Sequence, residues 1–157
     1  MTEAEGFTIR PATAADLAAI NRIYNDEVLH GTATWDEQPW SAEQRRAWLE
    51  DRDASTPVLV AEAGGEVAGF GYLSQYRPKV GYRFTREDTV YVDPRFHRRG
   101  IGGELLVALI EATNIASVAL HERYRFELIG TEREVGFKFG RWLDSVYMEL
   151  LLGDGED

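Results

Sequence analysis

The sequence predicts a single α+β domain. Its 157 residues are the usual length of one compact domain that can bury a core. Hydrophobic residues make up 44% and charged residues 28%, which is the balance of a globular rather than a disordered chain. Strand-like and helix-like segments follow one another without an internal repeat or a linker, so one domain is expected.

The N-terminal segment predicts a strand followed by a helix. Phe7 to Arg10 have the composition of a short strand. Thr13 with Asp16 three residues later is a capping box, which is a signal for a helix start. The apolar residues of that helix fall on one face at helical spacing: Leu17, Ile20, Tyr24 and Val28.

A loop and a second helix are predicted next. The segment from Gly31 to Trp40 is typical of a loop. Ser41 with Gln44 is a second capping box, and its helix is expected to run to about Ala54.

The middle of the chain predicts a β-hairpin and a further strand. Val58 to Ala63 and Glu66 to Gln75 flank the pair Gly64-Gly65, which is a strong hairpin signal. Tyr76 to Phe84 are interpreted as an ordered loop. Thr89 to Val92 are rich in β-branched and aromatic residues and predict a short strand.

The last third of the chain predicts two helices and two closing strands. The helices are expected at about Gly102 to Ala112 and at Ser117 to Arg123. The strands are expected at Phe126 to Glu134 and at Leu143 to Leu151. The acidic tail, Gly153 to Asp157, is expected to be frayed and flexible.

Composition narrows the possible partners. The formal charge of −10 disfavours binding to nucleic acid and to anionic membranes. The chain has no cysteine, which excludes disulfides and thiolate metal sites, and no metal is expected. It shows neither a long apolar run nor a secretory signal pattern, so a cytoplasmic location is expected. Against this acidic background one basic cluster stands out: Arg95, His97, Arg98 and Arg99.

The segment HRRGIGGELL has the features of a phosphate-binding turn. It follows a predicted strand and opens a helix, whose first backbone N–H groups and dipole favour anions. Gly100 and Gly102 would let that backbone approach a pyrophosphate closely. An ordinary strand-to-helix turn with solvated arginines is the alternative. A Rossmann site fits less well, because it requires G-x-G-x-x-G after the first strand.

The run DTVYVDPRFHRRGIGGELL resembles the acetyl-CoA motif of the GNAT superfamily of N-acetyltransferases. Gly100 and Gly102 stand on the motif's glycine positions, whereas His97 stands where the family usually has Gln or Arg. The resemblance implies a central mixed, mostly antiparallel twisted sheet flanked by helices, in a domain over residues 1–152. It implies acetyl-CoA as cosubstrate, bound by these residues: Val92, Arg98, Arg99, Gly100, Ile101, Gly102, Gly103 and Asn114.

A narrower resemblance covers nearly the whole chain. IRPATAADLAAINRIYNDEVL, TATWDEQPWS, RPKVGYRFTRE, SVALHERYRFELIGT and GFKFGRWLD look like the phosphinothricin and methionine-sulfone acetyltransferase branch. The resemblance implies direct transfer of acetyl to the α-amine of a small amino acid such as phosphinothricin, methionine sulfone or methionine sulfoximine. It also implies a homodimer, to which Lys138, Phe139 and Trp142 contribute if they do not belong to the core.

Two residues carry the catalytic roles that the resemblance implies. Glu87 matches the family's proposed general base, and its alternative is an exposed glutamate at a strand edge. His121 stands where this branch has a histidine, and it can protonate the coenzyme A thiolate, although a structural role is equally open. A backbone N–H on the Thr89 to Val92 strand, where the family has a bulge, is expected to hold the oxyanion.

Four residues of the matching loops are candidates for the amino substrate. Arg77 and Arg83 can form charge-assisted hydrogen bonds to its carboxylate or to phosphinyl or sulfonyl oxygens. Trp35 and Tyr82 can form walls of the pocket. For all four, ordinary loop packing is the alternative.

One segment departs from the family pattern. The family normally has a longer stretch between Gly102 and Asn114, with a strand that lies beside Thr89 to Val92, and that strand is expected to be absent between Ala112 and Asn114. Three explanations are open: an omitted stretch, a real deletion, or a strand supplied by another segment or subunit. Intact flanking motifs and the cost of an unpaired strand edge favour an omission.

The shortened segment keeps a second functional hypothesis open, a non-catalytic module that binds acyl-CoA or an amino acid. Glu87, His121 and the glycine turn favour the enzyme over that module. Acetylation of protein termini or ribosomal proteins fits less well with a cleft rich in Arg and Trp.

Overall fold

The computed structural model describes residues 3–4, 6–112 and 126–151. The predicted helix at 117–123, the tail at 153–157, Asn114 and His121 lie outside the described residues. The helices and longer strands, in chain order, are as follows: β1 (Glu3–Ala4), β2 (Phe7–Pro11), α1 (Leu17–His30), α2 (Ala42–Glu50), β3 (Val58–Ala63), β4 (Glu66–Gln75), β5 (Arg86–Val92), α3 (Ile101–Ala112), β6 (Glu127–Lys138) and β7 (Arg141–Glu149). Short 3-10 turns lie at Ala14–Asp16, Val80–Tyr82 and Pro94–Phe96.

The strands form two antiparallel sheets. The first has five strands in the order β1-β2-β3-β4-β5, and the second consists of β6 and β7 alone. All pairings within the described residues are antiparallel, so the parallel pair of the predicted mixed sheet is not among them. Within the same residues, β5 pairs with β4 and has no partner on its other side.

Helices cover both faces of the five-stranded sheet. Side chains alternate along β4, so Leu73 faces α3 whereas Phe70 faces α1. On the α3 side, a Cβ placed on Gly71 would lie 3.0 Å from Cδ1 of Leu109. A glycine at this position therefore lets α3 pack close to the strand.

The core on the α1 and α2 side contains a continuous chain of six aromatic rings. The centroids of neighbouring rings in this aromatic chain lie 5.2 to 6.3 Å apart, and the order is Trp40, Tyr24, Tyr91, Phe70, Tyr72 and Trp48. The guanidinium of Arg45, a residue that is 1% exposed, lies 4.2 to 4.7 Å from three of these ring centroids. The rings stabilise this buried cation through cation–π attraction, and Asn21 Oδ1 accepts a hydrogen bond from its Nε.

Both predicted capping boxes are present. Thr13 and Asp16 cap the short turn that leads into α1, and Ser41 and Gln44 cap α2. The α2 helix ends at Glu50, which is earlier than the predicted Ala54.

The bounds of three strands differ from the prediction: β5 and β6 are longer, whereas β7 has the predicted length and lies two residues earlier. β5 begins at Arg86 rather than Thr89, because Arg86 still pairs with Gln75 at the end of β4. β6 extends to Lys138 and β7 begins at Arg141. The tight turn between them has positive φ at both Phe139 and Gly140, as in the turns that match the twist of a hairpin. None of the described helices is long and apolar enough to cross a membrane.

Candidate active site

A groove of about 490 Å³ lies between the edge of the five-stranded sheet and the loop that follows α1. Two of the predicted site residues, Trp35 and Glu87, line it together. The full lining is Tyr24, Ala33, Thr34, Trp35, Tyr72, Glu87, Asp88, Thr89, Val90 and Tyr91. The groove therefore brings the predicted base and one predicted substrate residue into one place.

The geometry of β5 explains why Glu87 faces this groove. Thr89 pairs with Tyr72, whose ring packs against the α1 side of the sheet. Glu87 lies two residues before Thr89 and therefore points to the same face. Glu87 is exposed, and its carboxylate forms no hydrogen bond or ion pair with any other residue that the structure describes. An exposed carboxylate without a partner is available to accept a proton from a bound ligand.

A hydrogen-bond network fixes the loop that carries Trp35. The Tyr24 hydroxyl donates to Asp36 Oδ2 at 2.5 Å, and the Trp40 indole N–H donates to the same oxygen at 2.7 Å. Burial, together with the hydrogen bond to Asp36, raises the pKa of Tyr24 to about 12, so this phenol stays protonated and remains a donor at neutral pH. The network holds Thr34 and Trp35 over the groove through their neighbour Asp36.

Desolvation acts on two titratable groups that line the groove. It raises the pKa of the Asp88 carboxyl on β5 and the pKa of Tyr91 on the groove wall.

A larger cavity of about 560 Å³ lies elsewhere on the molecule, where Arg10, Arg22 and Arg95 approach the edges of α1, β3 and β4. Each of its charged side chains is already ion-paired. The groove at Glu87 is therefore the better candidate for chemistry.

The turn between β5 and α3 is built around Asp93, which is 2% exposed. Its carboxylate accepts hydrogen bonds from the backbone and guanidinium of Arg95 and from Arg22 of α1. Burial opposes ionisation of Asp93, but these hydrogen bonds outweigh it and hold the pKa of the carboxyl below its usual range. The charged carboxylate thereby ties the turn to α1.

The backbone after Asp93 is shaped as an anion-binding turn. Arg98 and Gly100 have φ of 63° and 80°, and the Gly100 carbonyl accepts the first hydrogen bond of α3 from Glu104. The N–H groups of residues 101–103 therefore precede the first intrahelical bond and point away from the helix. Amides at a helix start and the helix dipole suit a phosphate.

The four residues of the basic cluster have different surroundings. Arg95 is paired with Asp93 and Glu66, and His97 is bonded to the Val92 carbonyl at 2.9 Å. Arg99 stacks on Phe96, and Arg98 has no hydrogen bond or ion pair within the described part of the chain. Arg98 and Arg99 are thus the guanidinium groups of the cluster that remain able to bind phosphate, and together with the amides that open α3 they suit the phosphates of coenzyme A.

Three predicted substrate residues in the loop between β4 and β5 do not line the groove. Arg77 packs on the rings of Tyr76 and Tyr82. Arg83 stacks on Phe84 at 4.3 Å. None of the three predicted loop residues, Arg77, Tyr82 and Arg83, lines the groove, and their contact with substrate stays a prediction.

No register shift interrupts the described pairing of β5 with β4, and the bulge expected on the oxyanion strand stays a prediction. β5 pairs residue for residue with β4 from Gly69 opposite Val92 to Gln75 opposite Arg86. The register shift of this sheet lies instead between β3 and β4, at Ala61 and Glu62. A continuous ladder leaves no extra residue to form a bulge against β4.

Sequence reasoning did not assign several groove residues to the site. Tyr24 and Tyr72 have the sequence signals of a helix face and of a strand, and Thr34 lies in a loop whose motif pointed to Trp35 alone. Asp36, which does not line the groove, holds this loop through its hydrogen bond with Tyr24. The loop motif TATWDEQPW was the available signal for these neighbours.

Comparisons with known proteins agree with this geometry. The model of the acetyltransferase (GNAT) family matches residues 19–126. An L-methionine sulfoximine/L-methionine sulfone acetyltransferase of Salmonella typhimurium is 40% identical over 94% of this chain and 95% of its own length. A phosphinothricin N-acetyltransferase of Alcaligenes faecalis is 39% identical over 95% of this chain and 84% of its own. A putative acetyltransferase of Salmonella typhimurium, solved with its cofactor acetyl-CoA, has a TM-score of 0.86 and 37% identity, and the match covers 98% of each chain.

The alignment with the Salmonella sulfoximine/sulfone acetyltransferase agrees with a shortened segment in this chain. The alignment has 163 positions, whereas this chain has 157 residues, of which 94% are aligned. Some positions of the alignment are therefore gaps in this chain. The relative therefore has residues without a counterpart here.

The predicted resemblance is confirmed by the family match over more than half of the chain and by relatives of about 40% identity over most of it. The described residues provide an anion-binding turn at the start of α3 and a carboxylate-bearing groove on β5. The chain belongs to the acetyltransferase (GNAT) family and is an acetyl-CoA-dependent N-acetyltransferase.

Proposed function

We propose that this enzyme acetylates the α-amine of a small amino acid with a tetrahedral polar group in its side chain, such as methionine sulfone, methionine sulfoximine or phosphinothricin. Relatives that carry these substrates in their names align over most of the chain. The observation that carries the proposal is the unpaired carboxylate of Glu87 beside Trp35 in a groove of about 490 Å³. A groove of this size suits a small ligand better than a protein terminus.

In the proposed reaction Glu87 accepts a proton from the substrate ammonium, directly or through a water. Acetyl-CoA supplies the acetyl group as a thioester. The freed amine nitrogen forms a bond to the carbonyl carbon, the carbon–sulfur bond breaks, and the departing thiolate takes up a proton. His121 remains the predicted donor of that proton. The amides of residues 101–103 with Arg98 and Arg99 would hold the phosphates of acetyl-CoA.

The test is release of free thiol from acetyl-CoA in the presence of each of the three amino acids. The protein has no cysteine and adds no thiol background to this assay. Glu87→Gln is expected to lower kcat about 100-fold or more, the usual contribution of a general base. Glu50→Gln, which alters an exposed glutamate at the end of α2, is the matched control and should leave turnover unchanged.

Unchanged turnover in the folded Glu87→Gln variant would refute the assignment of the base. Binding of acetyl-CoA without turnover on any amine would refute the substrate proposal and would support a binding module.

We further propose that the enzyme is a homodimer that uses the β6–β7 hairpin, and that it acts in the cytoplasm. Phe137 and Trp142 pack edge to face at 5.2 Å and are 53% and 59% exposed. Phe139 at the tip is 54% exposed. Neighbouring exposed aromatic side chains are typical of a protein interface. Light scattering in solution should give twice the 17.7 kDa chain mass, and a monomer across the working concentrations would refute the dimer.

A further inference from the structure

The indole of Trp35 lies directly on the backbone of Gly136 in β6. A Cβ placed on Gly136 would overlap three ring carbons of Trp35, Cζ3, Cη2 and Cε3, the last of them at 2.7 Å. Contacts closer than 3.0 Å essentially do not occur for real Cβ atoms, so the ring can keep this position only against a glycine. Gly136 has an ordinary φ, and its lack of a side chain matters here for space rather than for backbone conformation.

Lys138 fastens the same face of the hairpin to the same loop. It lies two residues beyond Gly136 and therefore projects to the same side of β6. The residue is 2% exposed, and its ammonium donates to the carbonyl of Thr34 at 3.0 Å and to that of Glu27 at 3.4 Å. Thr34 immediately precedes Trp35, so one buried cation holds the hairpin and the groove loop together.

These contacts connect the hairpin to the groove wall. Trp35 lines the groove that contains Glu87, yet its position is set by a strand of the second sheet. The hairpin is thus more than a surface element, because a change in its backbone position moves a wall of the groove.

We propose that Gly136 is a specificity-determining residue of this enzyme: its bare backbone sets the position of Trp35 and thereby the shape of the amine pocket. Lys138 is the positioning residue that keeps the hairpin against the loop. The inference rests on the proposed function, which assigns the groove to the amino acid.

The test compares two alanine substitutions in one strand. Gly136→Ala must displace Trp35, and the KM for methionine sulfone is expected to rise about tenfold, as for an overpacked contact, while the KM for acetyl-CoA stays within about twofold. Gly130→Ala is the matched control, because a Cβ there meets no atom within 4 Å. It should leave both constants unchanged.

The same substitution in a protein that lacks the Trp35 ring tests the contact between Gly136 and Trp35 itself. In a Trp35→Ala enzyme the ring is gone, so adding Gly136→Ala should change neither the KM for methionine sulfone nor the urea midpoint any further. The proposal would be overturned if Gly136→Ala raised the acetyl-CoA KM as much as the KM for methionine sulfone, or if Gly130→Ala had the same effect as Gly136→Ala. It would also be overturned if Gly136→Ala had the same effect with and without the Trp35 ring. If the wild-type enzyme were inactive on all three amino acids, the proposed function would be refuted instead. The urea midpoints of the wild type, the two single variants Gly136→Ala and Trp35→Ala, and the double variant would still decide whether Gly136 holds Trp35.

Discussion

Replacement of Asp93 by Asn is expected to destabilise the fold and to weaken acetyl-CoA binding together. The side chain is 3% exposed, and it accepts hydrogen bonds from two guanidinium groups and a backbone amide. Asn keeps the shape and one acceptor oxygen but removes the charge that both arginines compensate. The turn that leads into α3 then loses its tie to α1.

The structure sets the expected size of this effect. Breaking a fully buried ion pair costs about 3–5 kcal/mol. Here the partners Arg22 and Arg95 are 51% and 55% exposed and can be rehydrated, so we expect the free energy of unfolding to fall by about 2–3 kcal/mol. For a domain of this size that corresponds to a melting temperature lower by about 5–10 °C.

The dependence on pH gives a second check. The pKa of Asp93 is lower in the folded protein than its ordinary value, so the carboxylate stabilises the fold above about pH 4, and the effect is lost as the pH falls through the folded pKa. The difference in unfolding free energy between wild type and Asp93→Asn should therefore be constant from neutral pH to about pH 4 and should shrink below it.

Urea unfolding with the acetyl-CoA KM measured in parallel is the assay. Glu66→Gln is the matched control, since it removes the other partner of Arg95 in an exposed pair and should cost less than about 0.5 kcal/mol. A loss for Asp93→Asn no larger than that of Glu66→Gln would refute the argument that the buried carboxylate anchors the turn. A destabilised variant with an unchanged acetyl-CoA KM would refute the link to the phosphate turn.

Two further predictions follow from single residues. Gly100→Ala should lower the free energy of unfolding by about 1–2 kcal/mol and raise the acetyl-CoA KM, because φ at Gly100 is 80°. Gly130→Ala, at a strand position without a positive φ, should be tolerated in both measurements. Asp16→Asn should lower the free energy of unfolding by about 2 kcal/mol at neutral pH, because the hydrogen bond from Arg10 lowers the pKa of Asp16 to about 2. In urea titrations at different pH, this difference from the wild type should disappear between about pH 4 and pH 2. Its persistence at pH 2 would contradict the ion pair as the cause.

Elements with start and stop signals in neighbouring residues were predictable from the sequence. The capping boxes at Thr13 and Ser41 and the Gly64-Gly65 turn act on backbone groups a few residues away, and the elements around them are confirmed with small shifts. Helix α2 stops short of the predicted end because no local signal marks its last turn. The 3-10 turn at Val80–Tyr82 likewise had no distinctive pattern.

The candidate site was predictable where it follows strand alternation or a motif. Glu87 and Trp35 were both singled out, and both line the groove. Contacts between segments that are distant in the sequence had no such signal. Arg22 and Asp93, which form an ion pair, are 71 residues apart in the sequence. Nothing in the sequence around Gly136 indicates that the indole of Trp35 packs on it. Such contacts depend on how the sheets and loops assemble, which local patterns do not encode.

The aromatic chain around Arg45 is an intrinsic optical reporter beside the groove. Two of its six rings are tryptophans, and two of its tyrosines, Tyr24 and Tyr72, also line the groove. Rings fixed at these distances produce near-ultraviolet circular dichroism that is lost when side-chain packing loosens. Ligand binding at the groove and loosening of this core can therefore both be followed spectroscopically on the unlabelled protein.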